Sequence, residues 1–268
     1  MSQCYFIRFA YDGTRYHGWQ MQPNGITVQG VMTEQLRKVF GPTVSLVAAG
    51  RTDAGVHAKC MYAHFIAPES LNDLSTFARK LDTMMPADIT VFEVLPVRVD
   101  AHARFDACSR TYEYWLGFHK DPFNQDFYLR MYRPLNFEAM NEAAKRLFRY
   151  TDFTCFSKLH TDVKTNNCVI QKAEWEQRGD YWVFTIQADR FLRNMVRAIV
   201  GTLIEVGRGK LDEAGFCRII ESKNRCKAGS SMHAKGLFLT SIGYPADVFD
   251  PTAPPKRKFR QNPVDMED

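Results

Sequence analysis

The sequence predicts an α+β protein made of two similar halves, and three observations lead there. Runs rich in β-branched and aromatic residues alternate with amphipathic stretches of three- and four-residue apolar spacing, the mixture that α+β folds use. Strands alternating with two helices occur twice, on either side of a segment at residues 121–135 that carries Pro122 and Pro134 near its ends and is expected to be the linker. The 268 residues, 45% hydrophobic and 24% charged, suffice for one large domain or two smaller ones with separate cores. No clean sequence repeat accompanies the second half, so the pseudo-symmetry rests on element order alone. The expected limits are residues 1–120 for the first half, 136–245 for the second and 246–268 for a tail.

Residues 4–10 mix aromatic and β-branched side chains as a strand does, and Tyr11-Asp12-Gly13-Thr14 is the turn that ends it. Tyr16-His17-Gly18-Trp19-Gln20 suits neither regular element and is expected as an ordered loop. From Thr27, the residues Val28, Val31, Met32, Leu36, Val39 and Phe40 fall at helical steps, with Thr27 as N-cap and Gly41-Pro42 as the stop. Residues 44–48 have the composition of a strand buried on both faces, and 60–66 form another strand. A helix between residues 72 and 85 uses Leu74, Phe77, Ala78, Leu81 and Met84, and Pro86 ends it. Residues 89–95 make the next strand and 105–118 a long aromatic one.

In the second half, Asn136 caps a helix over residues 137–148. Strands at 168–175 and 181–188 are separated by the turn Arg178-Gly179-Asp180. Helices over 190–206 and 212–221 and a last strand at 237–244 complete the pattern. Beyond it, Pro245, Pro251, Pro254, Pro255 and Pro263 among few core-forming residues predict an extended tail.

No apolar run approaches the roughly 18 residues that a membrane span needs. The chain opens Met1-Ser2-Gln3-Cys4, without a charged-then-apolar leader, so a cytoplasmic protein is expected. Seven scattered cysteines with no Cys-x-x-Cys pair point to reduced thiols, not to a disulfide framework or a zinc site. The net charge of +5 allows nucleic-acid binding without requiring it. Arg190, Arg193 and Arg197 fall at helical spacing, whereas Lys256-Arg257-Lys258 with Arg260 fits a solvated face.

The stretch Ala49-Gly50-Arg51-Thr52-Asp53-Ala54-Gly55-Val56-His57-Ala58 departs most from generic globular sequence. Gly50 and Gly55 permit positive φ or close backbone approach, which puts Arg51, Thr52 and Asp53 on a tight loop leaving a strand end. A carboxylate between an arginine and a histidine on such a loop has the makings of an active site. Asp and Gly also make ordinary turns, and Asp-x-x-x-His can suggest metal ligands. A turn alone, however, has no need of Arg51 or His57, and no second pair of His or Cys stands near enough in sequence for a metal.

That stretch resembles the catalytic motif of the tRNA pseudouridine synthases of the TruA family. The resemblance spans nearly the whole chain in family order: Tyr11-Asp12-Gly13, Gly18-Trp19-Gln20, Val28-Gln29-Gly30, His102-Ala103-Arg104-Phe105, Asp152-Phe153-Thr154, Phe191-Leu192-Arg193-Asn194-Met195-Val196-Arg197 and Lys235-Gly236-Leu237. It implies the pseudouridine synthase fold, in which two α/β halves share an extended antiparallel sheet with helices on one side and a central RNA-binding cleft.

By the same resemblance Asp53 is the catalytic nucleophile and Arg193, carried on a helix, is its ion-pair partner, a guanidinium favouring the ionised carboxylate. Arg51 fills the space left by a flipped base, and Tyr112 stacks on the uracil. Period 2 places Tyr112 and Tyr114 on one face of their strand and does not choose between them. Arg197 is a candidate phosphate contact, and Leu237 lies in a segment that binds substrate. The implied partner is the tRNA anticodon stem-loop, with the target uridine at roughly positions 38 to 40 and a homodimer gripping the RNA. No cofactor or metal is implied, since isomerising uridine needs neither redox change nor net group transfer.

Two places depart from the family pattern. Thr165-Asn166-Asn167-Cys168 stands where an arginine is frequent, and Cys60-Met61 where a small residue and a glutamine are usual. The first bears on RNA docking, not on the reaction. Two other functions fit parts of the sequence: a non-catalytic tRNA-binding or chaperone protein on the same scaffold, and a hydrolase pairing Asp53 with His57.

Overall fold

The computed structural model describes residues 2–158 and 165–256. In chain order its regular elements are β1 (Gln3–Tyr11), α1 (Val28–Phe40), β2 (Val47–Ala48), β3 (His57–Ala67), α2 (Leu74–Thr83), β4 (Ile89–Pro96), β5 (Ser109–Gly117), β6 (Leu129–Arg130), α3 (Phe137–Lys145), β7 (Ile170–Arg178), β8 (Tyr181–Ala188), α4 (Met195–Gly207), α5 (Glu213–Glu221) and β9 (Leu237–Gly243). The chain is a mixed α/β protein whose strand pairing is mostly antiparallel. No helix among the described residues is long and apolar enough to cross a membrane.

Two compact units divide it, Met1–Cys108 with Leu239–Asp268, and Ser109–Phe238. The first boundary therefore falls before β5, not after residue 120, because β5 pairs with β8 along its whole length, from Arg110 opposite Ala188 to Gly117 opposite Tyr181.

In the first unit the strand order is β4-β1-β3-β9, with β2 on β3. Strand β1 is buried on both faces and divides two cores. On one face Tyr5 stacks on Phe65, and Phe40 of α1 and Phe77 of α2 close over Phe65. Phe9 meets Trp19 on this side. Thr27 caps α1 by accepting the Gly30 N–H, and Gly41, at φ 87°, ends it, as the spacing predicts. On the other face Phe6 and Tyr62 pack against Tyr244 and Phe249.

That second cluster corrects the expectation of an extended tail from residue 246. Val248 is buried, and Asp247 pairs with the fully buried Arg98, which also holds Asp100 at 2.5 Å. Lys256 reaches back to Asp247 through its ammonium (2.7 Å) and to Asp100 through its N–H (2.7 Å). Buried aromatic surface and a buried guanidinium needing carboxylates outweigh the proline content here. Arg257, Lys258 and Arg260 lie outside the described residues.

In the second unit the order is β5-β8-β7, with β6 parallel to β5. Residues 121–135, expected as a linker, belong to this unit. Tyr128 is buried there, its hydroxyl bridging the Asp121 N–H and the His119 carbonyl, and Asp121 bonds Tyr181. Helix α3 lies on the sheet through Phe137, stacked on Trp182 with centroids 3.7 Å apart and edge-on to Trp175. Asn141 of α3 bonds both the N–H and the carbonyl of Trp175, covering the outer edge of β7.

Helix α4 is apolar almost all round and correspondingly buried. It starts at Met195, not near Arg190, because Asn194 has φ 67°, a left-handed conformation that a right-handed helix cannot include. Arg190 and Arg193 therefore precede the helix, and of the three arginines only Arg197 lies on it.

Candidate active site

The loop carrying Asp53 is stitched to residues 11–19 by main-chain contacts. The Asp53 carbonyl accepts the Val56 N–H (3.1 Å), closing a turn in which Gly55 has φ 75°. Trp19 donates to the Thr52 carbonyl (3.1 Å), and Gly55 to the Tyr16 carbonyl (3.3 Å). Beneath them the Tyr11 hydroxyl and Thr52 Oγ1 are 2.7 Å apart. Tyr16 and Arg15 in turn bond Asp88, with the Tyr16 hydroxyl at 2.7 Å, so the loop's partner is itself fixed.

Close approach is what this stitching needs, and glycines supply it. A Cβ on Gly13 would lie 2.0 Å from the Val56 carbonyl oxygen, and one on Gly18, at φ 86°, 2.5 Å from that of Thr52. Gly50 meets neither requirement: its φ is outside the left-handed region, and a Cβ there would have no neighbour within 4 Å. The structural demand therefore rests on Gly55 and on two glycines from the upstream turn, not on the pair Gly50 and Gly55. Tyr11-Asp12-Gly13 and Gly18-Trp19-Gln20 had the signal, but as turn and packing residues their contact with the Asp53 loop is invisible in sequence.

His57 is the first residue of β3 and is buried. Its Nδ1 lies 3.1 Å from the Gly13 nitrogen and 3.0 Å from Asp12 Oδ1, so the ring fastens the strand to the preceding turn. That occupation gives His57 an architectural role. Arg51 is exposed and Asp53 half-buried on the same loop.

A second histidine pair underlies His102-Ala103-Arg104-Phe105. His64 Nδ1 accepts the Ala103 N–H, His102 Nδ1 accepts those of Arg104 and Phe105, and the two rings are 4.4 Å apart. Residues 102–106 therefore form a turn, and the strand expected from residue 105 begins only at Ser109. Burial, and then the neighbouring His102, push the His64 pKa down from 6.5 to about 3. The folded protein keeps this imidazole neutral while the unfolded chain protonates it below pH 6.5, so stability is lost as pH falls from 6.5 towards 3. Between pH 7 and 5 His64 should account for about 2 kcal/mol of that loss. Urea midpoints of the wild type and His64→Asn at both pH values check this: the variant, which keeps an acceptor for Ala103, should lose less.

The remaining sequence-predicted residues lie in the second unit. Tyr112 is half-buried on β5, with Phe191 edge-on at 5.2 Å and 89°. Tyr114 is buried, and its hydroxyl donates to the His233 carbonyl (2.8 Å). The two tyrosines, equivalent by period, thus differ in exposure. Arg193 is exposed, and its carbonyl accepts the Lys158 N–H (3.2 Å). Arg197 Nε donates to the Met232 carbonyl (2.6 Å), and its own carbonyl accepts the Met232 N–H (3.1 Å). Leu237 is buried at the start of β9, after a turn in which a Cβ on Gly236 would meet the Trp115 carbonyl oxygen at 2.9 Å.

The family model of tRNA pseudouridine synthase matches residues 7–106 and 143–245. Among curated relatives, tRNA pseudouridine synthase A of Parabacteroides distasonis is 58% identical over 91% of this chain and 97% of its own length. That of Bacteroides fragilis is 56% identical over 92% and 99%, and that of an Exiguobacterium species 37% over 88% and 95%. With matches on both sides of β5 and relatives aligned nearly end to end, the chain belongs to the tRNA pseudouridine synthase family of isomerases.

Proposed function

We propose that this protein converts uridine to pseudouridine in the anticodon stem-loop of tRNA, at positions 38 to 40, with Asp53 as the nucleophile. The observation that carries the reading is the Asp53 loop: a half-buried carboxylate on a turn immobilised by Tyr11, Gly13, Gly18 and Trp19 within a chain of this family. Such fixing is what a carboxylate that must meet one carbon of a nucleotide requires.

In the reaction the C1′–N1 bond breaks, the base turns, and C1′ joins C5. The C5 proton leaves and N1 gains one, so composition is unchanged and no cofactor is needed. Asp53 attacks the nucleotide, and Arg193 is its ion-pair partner. The uridine must first leave its stack, at a cost of a few kcal/mol. Arg51, exposed beside Asp53, occupies the vacated space. Tyr112, held edge-on by Phe191, stacks on the uracil and offsets about 1 to 3 kcal/mol. Leu237 packs against the nucleotide. Arg197 is the weakest member of the set, since its Nε already serves Met232, and only the rest of its guanidinium is assigned to phosphate. The working form is a cytoplasmic homodimer.

The test is purified protein on unmodified tRNA transcript without added cofactor or metal, followed by carbodiimide labelling and primer extension. Stops confined to the anticodon stem-loop are expected. Stops elsewhere would move the substrate site, while tRNA binding without any stop would favour a non-catalytic binder.

A further inference from the structure

Asn194 breaks the pattern of the helices around it. Thr27, Asp73, Asn136 and Asp212 each sit in extended backbone at an N-cap and accept an N–H of the first turn with their side chains. Asn194 caps α4 from the left-handed region, and its side chain accepts no such N–H. Its amide is directed elsewhere, donating to Ser231 Oγ at 2.5 Å. Left-handed backbone in a non-glycine residue costs of order 1 kcal/mol and persists where its surroundings hold it. The residue before it is Arg193.

Ser231 is itself fixed. Its Oγ accepts a second bond, from Arg225 Nη2 (2.8 Å), and the same guanidinium donates to the Gly229 carbonyl (3.2 Å). The whole segment 229–232 is tied along α4: Gly229 donates to Thr202 Oγ1 (2.9 Å), and Met232 exchanges two bonds with Arg197. It lies so close that a Cβ on Gly201 would be 1.8 Å from the Ser230 carbonyl oxygen. Ser231 is thus a rigid post, and Asn194 is tied to it across 37 residues of sequence.

We propose that the relay Arg225–Ser231–Asn194 is a positioning device for Arg193. By holding Asn194 left-handed, it sets the direction in which the chain leaves α4, and with it the position of the Arg193 side chain. The Lys158 N–H on the Arg193 carbonyl fixes that peptide from the other side. Arg193 needs such a device because it precedes the helix and takes no rigidity from it. The inference rests on the role given to Arg193 above.

Steady-state kinetics on a tRNA transcript test it, using Arg193→Ala, Ser231→Ala, Ser231→Thr, Asn194→Ala and Asn194→Gly, each with its melting temperature. Ser231→Ala and Asn194→Gly should lower kcat by roughly tenfold with KM little changed, since misplacement of a catalytic group falls on the chemical step. Glycine accepts the left-handed backbone, so Asn194→Gly should melt near the wild type and still lose kcat, whereas a merely structural cap would keep kcat in that variant. Ser231→Thr, which keeps the hydroxyl, should recover most of the loss. Wild-type kcat in Ser231→Ala and Asn194→Gly beside an impaired Arg193→Ala would overturn the relay alone. Wild-type kcat in Arg193→Ala would overturn the assignment of Arg193 itself.

Discussion

Asp53→Asn should bind unmodified tRNA within about threefold of the wild type and lose pseudouridine formation by about a thousandfold or more. The amide has the carboxylate's shape but is a far weaker nucleophile, so the deficit should fall almost wholly on kcat. The loop gives reason to expect a clean result. Its shape is held by main-chain bonds from Trp19 and Gly55, by the Asp53 carbonyl and by the Tyr11–Thr52 contact, and these bonds survive the substitution. Asp53→Ala alongside excludes reversion of the asparagine variant by deamidation. Single-turnover primer extension and gel-shift titration, both at one salt concentration because tRNA affinity depends steeply on salt, provide the readout. Turnover retained in both variants would remove the nucleophile from the proposal.

Local chemistry made part of this fold legible. Thr27 and Asn136 announce helices by short polar side chains before apolar periods, and both cap as expected, while Asp212, expected as the first residue of its helix, is the N-cap just before it. The Arg178-Gly179-Asp180 turn is equally visible, with Gly179 at φ 60°. Elsewhere the deciding interactions come from far along the chain. Helical spacing runs back through Arg193 to Arg190, but Asn194 is held left-handed by Ser231, so α4 starts later than its period suggests. The aromatic run from Phe105 reads as strand until His102 captures two N–H groups and turns it. The Pro-rich end packs because Phe249 finds Phe6 and Tyr62, and Val248 beside it is buried.

The same distinction shaped the candidate site. Asp53 and Arg51 stand out by motif, and Tyr112, which the resemblance picks but strand period cannot tell from Tyr114, differs from it in that the Tyr114 hydroxyl is committed to the His233 carbonyl. The roles of Gly13 and Gly18 were hidden because a close approach between segments has no local signature. His57 looked chemical in sequence and is a fastener in the structure, since a buried ring whose Nδ1 accepts the Gly13 N–H holds strand to turn.

Gly18→Ala and Gly13→Ala should each destabilise the first unit by more than about 2 kcal/mol and cut activity further than that loss of folded protein explains. At Gly18 two costs add: a Cβ in left-handed backbone, worth about 1 to 2 kcal/mol, and an overlap with the Thr52 carbonyl oxygen at 2.5 Å. The overlap cannot relax by rotating a side chain, because the neighbour is backbone and also the acceptor of the Trp19 N–H. Relief therefore moves Thr52, and Asp53 with it. At Gly13 the conflict is with the Val56 carbonyl at 2.0 Å, on the far side of the same turn. Gly50→Ala is the control inside the motif. Its Cβ enters open space on ordinary backbone, so stability should stay within about 1 kcal/mol of the wild type, with any change in the favourable direction from a less flexible unfolded chain. Urea midpoints and single-turnover rates for the three variants decide the matter. If Gly50→Ala were as damaging to stability as Gly18→Ala, the loop would be held by something other than close approach of the two backbones.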